Sequence, residues 1–194
     1  MKTTNIAILA SGTGSNALKI MEHFEGREDI NFIVISNRKH AAVLDKAKAK
    51  NVPAYHFSRT AFNETNEVLD CLQEFQADFI ILAGFLLLVP EAILETYENK
   101  VINIHPALLP KFGGKGMFGM NVHQAVVEAK EKVSGITIHY CNKEYDEGQV
   151  ILQATCNLDV EDTPEVVAKK VLTLEHFYFP RVIEQLVEAT YAAG

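Results

Sequence analysis

An α/β domain with a doubly wound, mostly parallel sheet is the fold the sequence predicts, and three observations predict it. Short, wholly apolar runs recur between segments of helical periodicity, the pattern of strands buried on both faces of a parallel sheet. The first of these runs ends in a glycine-rich stretch that opens a helix. Near the C-terminal end two strand patterns follow each other across a short turn, which places an antiparallel strand near that edge. At 194 residues the chain can bury roughly 70% of its unfolded surface, so one domain over residues 1–194 is expected.

Ile6-Ala7-Ile8-Leu9 is the first strand, followed by Ala10-Ser11-Gly12-Thr13-Gly14-Ser15-Asn16 and a helix with Ala17, Leu18, Met21 and Phe24 at helical spacing. Phe32-Ile33-Val34-Ile35-Ser36 is the second strand, with a return helix over 41–50 and a short third strand over 53–57. The spacing of Val68, Leu69, Leu72 and Phe75 predicts one helix over 63–75, before a fourth strand at 79–82. A short helix over 90–97 leads to a strand ending at Asn103, and the βαβ alternation implies right-handed crossovers.

Residues 111–119 hold four glycines and two lysines and cannot propagate a helix or strand, so they form a loop of the kind that closes over ligands. A helix over 122–129 and a strand over 135–140 come next, then a turn at Asp146-Glu147-Gly148 and a returning strand over 150–155. Thr163-Pro164-Glu165 supplies a hydroxyl cap, a first-turn proline and an acid against the positive helix end. The helix it starts runs past Glu175-His176 and is expected to break near Pro180.

A formal charge of −7 argues against the basic face that a non-specific grip on nucleic acid needs. Cys71, Cys141 and Cys156 are odd in number and widely spaced, which fits a reducing, cytoplasmic setting rather than a disulfide framework. No apolar run has the length of a signal peptide or membrane span, so neither export nor a membrane partner is expected. His23, His40, His56, His123 and His139 lack ligand spacing, and no metal is expected.

Two segments carry the chemistry. In the first, Gly12-Thr13-Gly14-Ser15-Asn16-Ala17 fits the Gly-x-Gly-x-x-Ala fingerprint, whose physical content is a set of bare amides at a helix start that hold an anion. The second strand ends in Ser36-Asn37-Arg38 rather than an acid, which disfavours NAD, leaves an NADP phosphate open through Arg38, and points to a single phosphomonoester. In the second segment, Asn103-Ile104-His105-Pro106-Ala107-Leu108-Leu109-Pro110, Asn103 and His105 leave one face of a strand end and are followed by a proline-stiffened turn. An amide and an imidazole would then converge on one reacting atom. Asp146 lies in a turn that can reach the same strand end, and a carboxylate beside an imidazole favours its charged form. Simple turn chemistry at Asp146, and a histidine that merely satisfies a carbonyl, stay open on these residues alone.

These stretches, with Ala83-Gly84-Phe85 and Glu175-His176, resemble the phosphoribosylglycinamide formyltransferase family of folate-dependent enzymes across nearly the whole chain. The resemblance implies a Rossmann-like formyltransferase fold and transfer of a formyl group from 10-formyltetrahydrofolate, a cosubstrate, to the amine of 5-phosphoribosylglycinamide in purine biosynthesis. It implies catalysis by Asn103, His105 and Asp146 through a tetrahedral intermediate. Gly12, Thr13, Gly14, Ser15, Asn16, Pro106 and Glu175 would bind the ribonucleotide. Leu82, Phe85, Leu86, Leu87, Leu88, Val101, Asn103, Cys141, Asn142 and Tyr145 would bind the folate. The partners implied are small molecules, with the protein a monomer or homodimer. Hydrolysis of the same donor, and a non-catalytic nucleotide-binding module, are the competing readings. The sequence departs from the family at Leu86-Leu87-Leu88, where an arginine is usual, and after Pro110, where residues 113–120 are inserted. Lys111 or Lys115 would then be left to meet the folate's glutamate tail.

Overall fold

The computed structural model describes residues 3–143 and 146–192. Its seven strands form a sheet in the order β3-β2-β1-β4-β5-β6-β7, and the chain divides into two compact units, residues 1–102 with 183–194, and residues 103–182.

In the first unit β1 (Thr4–Leu9) lies between β2 (Ile30–Ser36) and β4 (Phe79–Leu82), parallel to both, and β3 (Ala54–His56) extends β2 in parallel. Ile6, Ile8, Leu9, Ile80 and Ile81 are fully buried, which is why these strands read as continuous apolar runs without alternation. The helices α1 (Ser15–His23) and α2 (Ala42–Ala49) follow β1 and β2 in the chain. Between β3 and β4 the helix expected over 63–75 starts four residues later, as α4 (Glu67–Glu74), and is preceded by a separate short helix, α3 (Arg59–Asn63). Ser58 Oγ caps α3 by accepting from Ala61 N–H, and Thr65 Oγ1 donates back to the Ala61 carbonyl while accepting from Glu67 N–H. Short polar side chains thus offer the backbone other partners between the two helices and delay the start of α4. The short helix α5 (Glu91–Thr96) precedes β5 (Val101–His105), which runs two residues beyond the expected end at Asn103.

In the second unit α6 (Met120–Glu128) leads to β6 (Val133–Tyr140), which pairs antiparallel with β7 (Val150–Asn157), as the turn chemistry predicts. The register slips by one residue between Ile138 and His139, a β-bulge that re-aims side chains locally. The last helix, α7 (Pro164–Ala192), starts where predicted, with Val166 N–H donating to Thr163 Oγ1. It does not break at Pro180. Val167, Val171, Phe179, Val182, Ile183 and Val187 form a buried stripe along it, and burial at about 1.5–3 kcal/mol per side chain outweighs the roughly 3 kcal/mol of an interior proline. Among the described residues no helix is long and apolar enough to cross a membrane.

Candidate active site

In the first unit the loop after β1 is tied down on both sides. Ser11 Oγ donates to Asn37 Oδ1 at 2.6 Å and accepts from Leu86 N–H at 2.8 Å, and its own N–H donates to the Gly84 carbonyl. Gly14, at φ 69°, is the N-cap of α1, and a Cβ there would collide with Val43, whose N–H donates to the Gly12 carbonyl. Only glycine permits both the backbone turn and that approach. The N-cap of α1 is Gly14, which has no side chain to accept from the first-turn amides. Lys46 Nζ donates to the Thr13 carbonyl at 2.8 Å.

The residues assigned to the folate divide by exposure. Leu82 and Val101 are buried strand positions, while Leu86 and Leu88 are 42% and 49% exposed. Phe85 packs its ring on Phe62 with centroids 5.1 Å apart. In the second unit Cys141 is half-buried and Asn142 exposed. Burial, with the Asp146 carboxylate nearby, pushes the Cys141 thiol up to about 12. Tyr145 lies outside the described residues.

Asn103, His105 and Asp146, 43 residues apart from first to last in the chain, meet in the second unit. Their strand end continues into a turn held by β6 and β7. Thr137 Oγ1 donates to the Ala107 carbonyl and accepts from Leu109 N–H, and Gln153 Nε2 donates to both Thr137 Oγ1 and the Leu109 carbonyl. His105 is buried, and its Nε2 donates to the Phe112 carbonyl at 2.7 Å. Its Nδ1 lies 3.6 Å from Asp146 Oδ2, close enough for an ion pair but longer than a hydrogen bond. The other oxygen, Asp146 Oδ1, lies 3.7 Å from His139 Nε2. Asp146 has a φ of 57°, which an aspartate tolerates better than most residues.

His139 is the residue the sequence reading missed. Its side chain is 2% exposed. Its Nδ1–H donates to the Tyr140 carbonyl at 2.9 Å, so Nε2 carries a lone pair and accepts from Asn103 Nδ2 at 3.1 Å. Burial pushes this imidazole below its ordinary range, which keeps it in the neutral, accepting form. The arrangement fixes which end of the Asn103 amide is the donor. Burial, and the charge of His105, likewise push His123 down. Among the described residues no cluster of three or more histidine, cysteine or acidic side chains is arranged to hold a metal ion.

Comparison with known proteins decides the family. The profile of the formyl transferase family matches residues 4–183. The chain belongs to this family. A chloroplastic phosphoribosylglycinamide formyltransferase of Arabidopsis thaliana is 36% identical over 94% of this chain, which spans 65% of that protein's length. The phosphoribosylglycinamide formyltransferase of Bacillus subtilis (strain 168) is 32% identical, with 93% of each chain covered. The crystal structure of the enzyme of that name from Anaplasma phagocytophilum superposes with a TM-score of 0.88 at 31% identity, covering 96% of this chain and 88% of that one. In this chain Pro106 sits in the turn after β5, half-buried, and Glu175 is a buried acid on α7. Lys111, one of the two lysines expected near the folate tail, is paired with Glu131 at 2.7 Å.

Proposed function

We propose that this formyl transferase moves the formyl group of 10-formyltetrahydrofolate onto the amine of 5-phosphoribosylglycinamide. The observation that carries the reading is that the Asp146 carboxylate faces His105 through one oxygen and, through the other, the His139 ring that holds the Asn103 amide. When an amine adds to a formyl carbon, negative charge develops on the formyl oxygen. A donor held in place for that charge contributes about 2.7–4 kcal/mol to the transition state. Asn103 Nδ2 is one such donor, oriented in advance by His139. On His105 the donor is Nδ1, because Nε2 is already given to a carbonyl. The protonated ring neutralises the oxyanion, and Asp146 faces that ring. Asp146 also relays, through a water, the proton that the attacking amine loses to the departing folate nitrogen, a task for which a placed carboxylate gives roughly 10²–10⁴-fold.

The amides after Gly14 hold the ribonucleotide phosphate, with Gly12, Thr13, Ser15 and Asn16 forming the cradle. Glu175 takes the ribose and Pro106 packs on the substrate. Exposed Leu86 and Leu88 offer apolar surface to a flat pterin, with Phe85 and Leu87 from the same stretch of chain. Single-turnover transfer, comparing the intact protein with His105→Ala and Ser15→Ala, tests the reading. Formylated ribonucleotide is expected from the intact protein, a loss of roughly 10²-fold or more with His105→Ala, and weaker ribonucleotide binding with Ser15→Ala. Donor consumed with no formylated product would instead make the protein a hydrolase of the same donor.

A further inference from the structure

The glycine-rich stretch after Pro110 reaches both members of the His105 and Asp146 pair with main-chain atoms. The Phe112 carbonyl accepts from His105 Nε2 at 2.7 Å, and two residues later Gly114 N–H donates to Asp146 Oδ2 at 2.9 Å. Phe112 and Gly114 both lie in the left-handed region, at φ 56° and 90°. Gly113 between them does not, yet a Cβ there would come within 2.6 Å of Leu109 Cδ2 and 3.3 Å of Asp146 Cβ. A methyl group at 113 would therefore press hardest on the end of the Leu109 side chain and would ask Asp146 Cβ to give by a few tenths of an ångström.

A neutral imidazole has one N–H and one lone pair, and the hydrogen bond made by one nitrogen decides the state of the other. A carbonyl can only accept, so Phe112 assigns the proton to Nε2. Nδ1, 3.6 Å from Asp146 Oδ2, is the nitrogen left for a proton that comes and goes.

We propose that Phe112-Gly113-Gly114 is a backbone clamp that sets which nitrogen of His105 works and where the Asp146 carboxylate sits, making Gly113 and Gly114 positioning residues for catalysis. The kinetic consequence rests on the formyl transfer proposed above, whereas the geometry of the clamp does not. Alanine at 113 pushes on Leu109 Cδ2 and, more lightly, on Asp146 Cβ, without placing a side chain in the left-handed region. Gly116, at φ 89° in the same loop, has no atom within 4 Å of the place a methyl group would take, so Gly116→Ala strains the loop without touching the pair.

The test combines kinetics with nitrogen NMR of the His105 ring and hydrogen exchange at the Gly114 amide. The intact protein is expected to show a protonated Nε2, an unprotonated Nδ1 in the neutral ring, and a protected Gly114 amide. Gly113→Ala should lose that protection and lower kcat by roughly 10²-fold, the loss typical of a 1 Å misplacement, with the ribonucleotide KM changed by less than about threefold. Gly116→Ala should keep the ring and amide signals and lose far less kcat. Should Gly113→Ala fail to fold, an amide-to-ester replacement at Gly114 removes the donor alone and carries the same expectation. The clamp is overturned by a proton on Nδ1 of the neutral ring in the intact protein, by equal losses in Gly113→Ala and Gly116→Ala, or by a loss confined to KM. An intact protein without formyl transfer but with the expected NMR signals would sink the proposed reaction and support the clamp.

Discussion

Replacing His139 with leucine removes one buried ring and two hydrogen bonds, and its cost can be worked from their partners. The Asn103 N–H loses its acceptor at 3.1 Å and the Tyr140 carbonyl loses its donor at 2.9 Å. An unmet buried polar group costs about 1–3 kcal/mol, and both partners are half-buried, so the low end applies and the two together destabilise by about 2–3 kcal/mol. The effect on the reaction is separate. With no acceptor at His139 the Asn103 amide can turn its oxygen toward the developing charge. Losing about half of the roughly 2.7–4 kcal/mol of an oxyanion donor lowers the single-turnover rate by about 10- to 30-fold. His139→Gln offers a carbonyl oxygen to Asn103 and should recover most of that rate while remaining destabilised. Urea unfolding gives the first quantity, and single-turnover formyl transfer the second. Equal rates for the leucine and glutamine variants, or a leucine variant that is destabilised yet transfers at the normal rate, would refute the orienting role and leave His139 a packing residue.

Acid should destabilise the fold through two buried rings. His123 and His139 are held below their ordinary value in the native state, so below about pH 6.5 the unfolded chain binds protons that the native state refuses. Their contribution is complete above that pH and is lost as the pH falls through the lowered native values, at up to about 1.4 kcal/mol per pH unit for each ring. Urea unfolding across this window should show a smaller slope in His123→Gln, and identical slopes in the two proteins would contradict the assignment. Gly14→Ala should destabilise by about 2–4 kcal/mol, from left-handed backbone at φ 69° and overlap with Val43. An unfolding midpoint unchanged by that substitution would show that the loop after β1 adapts freely.

The elements that could be read in advance are those set by neighbours in the chain. Apolar runs such as Ile6-Ala7-Ile8-Leu9 mark strands because both faces are buried, and Gly14 and Thr163-Pro164 mark helix starts because caps and left-handed turns are decided within a few residues. Asn103 and His105 could be paired because a strand's period places them on one face. The later start of the helix expected over 63–75 was missed because apolar periodicity is blind to Thr65 bonding the backbone of Ala61 and Glu67. The helix through Pro180 was missed because a proline's local penalty is visible in the chain and the compensating burial is not.

By itself, then, the sequence determined the strand and helix order, the glycine-rich turn from Gly12 to Asn16 that opens α1, and the two polar side chains at the end of β5. Only the tertiary structure decided what surrounds those two. His139 meets Asn103 from 36 residues away, the Phe112 carbonyl takes the His105 proton, and the Gly114 amide takes Asp146. Two of these three partners are main-chain groups, which every residue carries and no side-chain pattern can announce. The third is a histidine whose role depends on which nitrogen is protonated, and that follows from a bond to the Tyr140 carbonyl.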